Sequence, residues 1–547
     1  MRIAGTTFWG AAATRAADLP QPARDTLRGV RLAGAAAAGL AALVQLLFFY
    51  GVEDNLASTL LALLSSLIGI GYALGTRRFC AHPISALILL LYTITATAGA
   101  LMVKSLEASA LADRLQVPVT TYAVLLGAQI ALLVADQLYL RVAAFGTLRG
   151  IIARRALQPL GLMRWPTDLQ FWLLGAIGCA SVLMTGTDFE SDASFGLASA
   201  GAKLIRAFGF LKFAPFLIPF RDALSGIPSR TRLPLLPLAL YFVALVGISF
   251  ATNSRSTFAD AVPTIGICLL TATALGRFDI RRVAPTKLLA FALVALIAAS
   301  LLSRVSLAMV VVRDYRHNAD VGMLVRMTAE ALFNSEWLAA AKAKMDTAVT
   351  VGNYSEDYVD SRFLARFILT KFHDNILYYF SLMGPDQIAS YKGFMLERIA
   401  ATLPDPLLRP LGISVNKQDL IVSNGDYIIY IVDGWGLGGF KTGSMIAEVF
   451  GVFGAAFPLV IVGAGLMLFV VHDAFAARSP FGRLALAPLM ILLVWNLVGT
   501  TAAFGLGAET VTAIPAGIVR GLPQNILAYL IATALVRAAT RIAGRGT

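Results

Sequence analysis

A succession of apolar stretches, each close to 20 residues long, restricts the possible folds of this chain more than any other feature. A helix needs about 20 mostly apolar residues to cross the ~30 Å hydrocarbon core of a bilayer. Twelve such stretches can be read, at about 32–52, 56–75, 83–103, 118–140, 168–186, 199–220, 234–251, 258–276, 287–304, 449–472, 484–504 and 523–540. Water could not dissolve them. Hydrophobic residues make up 58% of the chain and charged residues 14%, where a soluble protein carries about 25% charged residues. The expected fold is an all-α polytopic membrane protein. Soluble enzymes, disordered chains and secreted disulfide scaffolds are excluded on the same ground.

Charge fixes the expected orientation. With the N-terminus in the cytoplasm and strict alternation, the inner segments hold 24 of the 45 Lys and Arg residues against five acidic ones. The short outer loops hold four basic residues and eight acidic ones. The positive-inside rule then places both termini in the cytoplasm. The net charge of +13 is therefore a topology signal facing anionic inner-leaflet lipid, and nucleic acid is not an expected partner. The mixed, Arg-containing segment 1–31 does not read as a cleavable signal.

This organisation divides the chain into the cytoplasmic segment 1–31, nine spans over 32–304, one large outer loop at 305–448, and three spans with a cytoplasmic tail over 449–547. The loop carries 16 of the 32 acidic residues and is far longer than a connector requires. Helical runs are expected within it at about 324–349, 360–382 and 386–401. In the second run, Arg362, Arg366 and His373 would share one face of an amphipathic helix lying on the membrane surface. The bland alternative pairs these arginines with Asp357, Asp360 or Asp374.

Other motifs are weaker. Cys80, Cys179 and Cys268 lie far apart in or beside apolar runs, and His82, His317, His373 and His472 are scattered, so neither a disulfide framework nor a metal-ligand spacing is present. A literal GxGxxG at Gly434, Gly436 and Gly439 lacks the strand-to-helix context of a dinucleotide site, and Phe440 stands where a phosphate-binding loop needs Lys. It reads as a tight turn. Charges at membrane depth are costly and usually functional. Lys203 and Arg206 near the outer end of the sixth span, Arg255 in the outer turn NSRST, and Asp260 together suggest a cationic cluster suited to a lipid pyrophosphate. Lys212 reads as a snorkelling side chain, and Asp136 has no assigned role.

The number of spans, the inner termini, the large outer loop, the turn Ser254-Arg255-Ser256 and the segment Lys441 to Val460 together resemble the Wzy-type polysaccharide repeat-unit polymerases and the related O-antigen ligases. Within that segment the resemblance rests on Gly443, Glu448, Phe450 and Phe453-Gly454. Phe450 stands where the family often has Tyr, and Ala455-Ala456 where it has a second Gly. The resemblance implies a GT-C-like membrane glycosyltransferase of the bacterial inner membrane, inverting, with no metal ion and no cofactor. It would transfer a growing glycan from undecaprenyl pyrophosphate to a lipid-linked repeat unit at the periplasmic face. Its partners would be undecaprenyl-pyrophosphate-linked oligosaccharides, membrane lipids and a chain-length regulator. Cationic groups would stabilise the leaving pyrophosphate, the expected set being Lys203, Arg206, Arg255, Arg362, Arg366, Lys371 and Lys441. A general base would activate the acceptor hydroxyl, with Glu448, Asp433, His373 and Asp374 as candidates. The competing readings are an O-antigen ligase, a lipid-linked oligosaccharide flippase, which the 144-residue loop disfavours, and a membrane scaffold.

Overall fold

The computed structural model describes residues 21–186, 200–227, 234–277, 300–312, 321–346, 354–403, 408–416, 420, 422–434, 437–438, 441–479, 483–499, 506–507 and 510–543. Its principal helices are α1 (Gln21–Phe48), α2 (Asn55–Ala73), α3 (Pro83–Leu106), α4 (Pro118–Arg141), α5 (Asp168–Gly186), α6 (Ala200–Arg206), α7 (Leu235–Thr252), α8 (Ser256–Ala274) and α9 (Ser300–Val311). The loop region contributes α10 (Val321–Phe333), α11 (Ser335–Asp346), α12 (Thr370–Leu382), α13 (Pro385–Ala401) and α14 (Asn424–Asp433). The C-terminal part adds α15 (Met445–Phe453), α16 (Phe457–His472), α17 (Pro488–Leu497) and α18 (Ala513–Ile542).

Among the described residues, nine helices are long and apolar enough to cross a membrane. The protein is all-α and membrane-embedded, and the strands in the described residues form one short antiparallel hairpin, Ala476–Arg478 with Leu484–Leu486. α2 shows why this chain belongs in lipid. Its buried face carries Ser58, Thr59, Ala62, Ser65, Ser66 and Gly69, while Leu56, Leu60, Leu64 and Leu67 are exposed. Small residues pack inside and large apolar ones face outward, the reverse of a water-soluble helix and the rule for helices in a bilayer.

Two expected spans differ, and a third is largely beyond the described residues. The sixth is α6 followed by a 3₁₀ path, Gly209–Phe220, that contains Pro215 and Pro219. Each proline removes a backbone donor and blocks a regular helix. The eleventh is shortened, because Leu484–Leu486 pairs as a strand before α17 begins. The ninth lies largely outside the described residues, and α9 covers its end.

Two buried carboxylates tie the bundle at opposite ends. Asp473, after α16, accepts from the amides of Ile84 (3.0 Å) and Ser85 (3.2 Å) at the start of α3. Asp374, on α12, accepts from the amides of Gln116 (2.9 Å) and Val117 (2.9 Å) just before α4. Helix N-termini leave unsatisfied N–H groups and favour anions. Because α3 and α4 are consecutive spans, the loop helices sit at the end of the bundle opposite Asp473.

The loop differs from the expected surface-lying helix. Helix 360–382 is shortened to α12. Residues 364–367 form a single 3₁₀ turn, and Ile368 is extended with φ −121°. The break has a cause in α3, which widens into a π turn over Ile94–Ala98 and so frees carbonyls. Leu369 N–H donates to Thr95 O at 2.8 Å and Thr370 Oγ1 to Ala96 O at 2.8 Å. α12 is thus seated on the spans, with Lys371, His373, Asp374, Asn375 and Ile376 all buried. Its other end rests on α15, where a Cβ at Gly451 would come within 2.2 Å of the Phe380 ring. The expected helix 324–349 is also two helices, broken where Asn334 Oδ1 caps Glu336 N and Trp337 N at 3.1 Å each.

Candidate functional site

A cleft lies at the loop end of the bundle, between the first turns of α12, the residues leading into α15, and the turn before α18. Its lining is Leu369, Phe372, His373, Thr442, Gly443, Ser444, Leu506 and Gly507. Ser444 is the N-cap of α15, accepting from Ala447 N–H at 3.2 Å. Its Oγ also lies 2.6 Å from His373 Nδ1. The other ring nitrogen, Nε2, is buried with no hydrogen-bond partner, and the residue is 4% exposed. Among the described residues His373 is the titratable side chain lining the cleft. Desolvation drives its pKa down to about 4, so the imidazole is neutral at physiological pH.

The carboxylate candidates are placed elsewhere. Glu448, expected at the loop's edge, stands in the first turns of α15 and is fully buried. Its two oxygens accept from Thr510 Oγ1 (2.6 Å) and Asn424 Nδ2 (3.1 Å). Arg398 donates to Asn424 Oδ1 and to Val422 O, and Asn424 Nδ2 also reaches Tyr391 Oη at 2.9 Å. This network joins α13, α14, α15 and the turn before α18, which is a structural task. Asp374 is committed to Gln116, Val117, Thr121 Oγ1 (3.3 Å) and Lys371 Nζ (2.9 Å). Asp433 is exposed at the far end of α14, where it accepts from Tyr379 Oη at 2.9 Å. Nine residues of helix separate it from Asn424, about 13 Å. None of the three lines the cleft, so of the four candidate bases only His373 does.

The cationic candidates also divide. Lys371 neutralises Asp374, and Arg362 pairs with Asp357 at 2.5 Å. For Arg362 the bland reading holds. Lys441 lies over the Tyr354 ring at 5.2 Å while its amide donates to Asp426. Arg362 and Arg366 precede α12, so they do not share a helical face with His373. An aromatic ladder nevertheless brings their segment to the turn that carries Arg255. Phe258 stacks on Phe363 (6.1 Å), Phe363 meets Phe367 (5.2 Å), and Phe367 meets Trp495 (5.8 Å). Trp495 Nε1 donates to Asp260 at 3.1 Å, closing the ladder on α8. Arg206 is exposed on α6, and the Lys203 side chain lies outside the described residues, as does His317.

Several residues escaped the sequence reading. Ser444 carries a legible signal, a capping residue directly before an apolar run. Asn424, Arg398 and Thr510 carry none, being polar residues in different segments that only folding brings to Glu448. Asp136 proves to be the buried partner of Arg78. Lys104, buried in the last turn of α3, donates to Tyr358 O at 3.2 Å. Gly434 ends α14 in the left-handed conformation with φ 68°, so the GxGxxG begins as a helix stop. Gly436 and Gly439 lie outside the described residues.

Among the described residues, no group of three or more His, Cys, Asp or Glu side chains forms a metal-binding set. Comparison with protein-family models, curated proteins and solved structures finds no match to this chain.

Proposed function

We propose that this protein is a polysaccharide polymerase of the inner membrane. It would transfer a growing glycan from undecaprenyl pyrophosphate to a lipid-linked repeat unit at the periplasmic face, with both termini cytoplasmic. The resemblance to Wzy-type polymerases motivates the reading. The observation that carries it is the cleft under the large loop, lined by a buried histidine that has one unpartnered nitrogen, at one end of a bundle of lipid-facing helices. Both lipid carriers would be held in the bilayer, so the reacting ends would meet in a confined layer.

The chemistry follows from the leaving group. Pyrophosphate departs readily once its developing charge is stabilised, and preorganised cations and donors supply that stabilisation at little reorganisation cost. Arg255 and Arg366 stand on the two segments joined by the Phe258–Phe363–Phe367 ladder and are the cations proposed to receive the diphosphate. Lys371 and Arg362 are assigned to the fold instead.

The test is deletion in the native host, with surface and lipid-linked glycans sized by gel and mass spectrometry. Loss of long polymer with accumulation of single repeat units is the expected result. Long polymer stranded on its carrier would mean a ligase. An unchanged profile would remove the transferase reading.

A further inference from the structure

The buried hydrogen-bond pattern around His373 determines which way its imidazole works. Ser444 Oγ accepts one bond, from Ala447 N–H, and is 3% exposed, so its own proton needs an acceptor inside the protein. Among the described residues the acceptor bonded to that oxygen is His373 Nδ1, at 2.6 Å. The alternative, Nδ1–H donating to Oγ, would leave the buried hydroxyl proton with nowhere to go. The ring proton therefore resides on Nε2, the nitrogen that has no partner in a side chain lining the cleft.

A buried N–H without an acceptor is costly, and this one shares its cleft with Gly443 and Ser444 at the N-terminus of the nine-residue helix α15. The positive end of a helix dipole favours an anion in the same place. Leu369, Phe372 and Leu506 complete the lining, giving an apolar wall beside a donor and a dipole around a space of about 10 Å³, room for a single oxygen atom.

We infer that His373 acts as a neutral hydrogen-bond donor through Nε2–H to one phosphate oxygen of a diphosphate seated at the mouth of the cleft, and that Ser444 is the positioning residue that fixes this tautomer. The inference rests on the proposed transferase reading for the reaction but not for the ligand. In that reaction the acceptor hydroxyl oxygen bonds the anomeric carbon as the carbon–oxygen bond to the diphosphate breaks; the electron pair of the broken bond passes to the leaving oxygen, the hydroxyl proton passes to solvent, and His373 bonds the resulting anion without transferring a proton. His373 is then not the general base, although sequence alone left that role open to it.

Two experiments on the full-length protein in nanodiscs test this. The first is 15N NMR of histidine-labelled protein, with His373→Gln identifying the signal. A proton on Nε2 at neutral pH is expected, with the resonance shifting when a sugar-free polyprenyl diphosphate is added. A proton on Nδ1 would overturn the inference without any variant having to fold. The second measures binding of that polyprenyl diphosphate to His373→Gln, His373→Ala, Ser444→Ala and Ser444→Thr. Glutamine places an N–H near the Nε2 position, so it should bind within about tenfold of the natural protein. The His373→Ala variant should lose about 10- to 100-fold, as when a hydrogen bond to a charged group is removed. Ser444→Thr should rescue what Ser444→Ala loses. Equal binding by all four variants would refute the donor role. Inorganic pyrophosphate is the second probe: equal, His373-dependent binding of it keeps the donor role and assigns the site to a soluble diphosphate. Binding is read independently of glycan length, so an unchanged glycan profile in the deletion host would sink the polymerase reading while leaving this site standing.

Discussion

Replacing Asp374 by Asn should unseat the loop helix, and the structure gives the size of the effect. The carboxylate is fully buried and accepts from Gln116 N, Val117 N, Thr121 Oγ1 and Lys371 Nζ, at 2.9 to 3.3 Å. Asparagine keeps one acceptor oxygen but turns the other into a donor facing donors. It also leaves the Lys371 ammonium, 3% exposed, without its counter-charge. Breaking a buried pair from one side costs about 3–5 kcal/mol, or two to nearly four orders of magnitude in the folded ratio. Adding Lys371→Met removes the stranded charge and should recover roughly half of that loss. The assays are thermal unfolding in a fixed detergent and hydrogen exchange at the Gln116 and Val117 amides, which should speed up in the single variant. An Asp374→Asn protein as stable as the natural one, yet inactive in glycan transfer, would refute the reasoning and return Asp374 to the role of base.

Gly451→Ala would drive a methyl into the Phe380 ring, 2.2 Å away. It should lower the unfolding temperature, with partial relief from adding Phe380→Leu; full stability of the single variant would contradict the packing. Burial holds the folded His373 pKa at about 4 against 6.5 for the free side chain. The unfolded chain therefore binds the extra proton between those values. This contribution is fully present above about pH 6.5 and is lost as pH falls toward 4, about 3 kcal/mol in all. A stability–pH curve of His373→Gln should lack that slope. Glu448→Gln keeps an acceptor for Thr510 or Asn424 and should leave transfer within about tenfold, whereas Glu448→Leu orphans both donors at about 1–3 kcal/mol each. A folded but dead Glu448→Gln enzyme would make Glu448 the base after all. Thr370→Val should lose its bond to Ala96 O and cost about 1 kcal/mol in thermal stability; an unaltered unfolding temperature would argue against the π-turn anchor.

Hydropathy and length were enough to place the nine spans found among the described residues, because a bilayer demands a long apolar helix wherever the chain crosses it. Local backbone chemistry was legible only in part: Ser444 before an apolar run is a capping signal that the sequence reading passed over, and Asn334 breaks a helix that hydropathy ran straight through. The sequence also named the residue at the cleft, His373, but as one of four candidate bases without a basis for choosing.

Tertiary structure decided the rest, since polar partners in this chain come from distant segments whose meeting leaves no pattern in either one. Arg362 and Arg366 fell off the expected helical face because Leu369 and Thr370 bond to carbonyls freed by a π turn in α3, some 270 residues earlier. Asp374 could serve as base or anchor until Gln116 and Val117 were placed against it, and Glu448 until Thr510 and Asn424 closed over both its oxygens. The spans follow from a solvent that acts on every residue alike. The site depends on single hydrogen bonds, which form only once the bundle has brought their two ends within 3 Å.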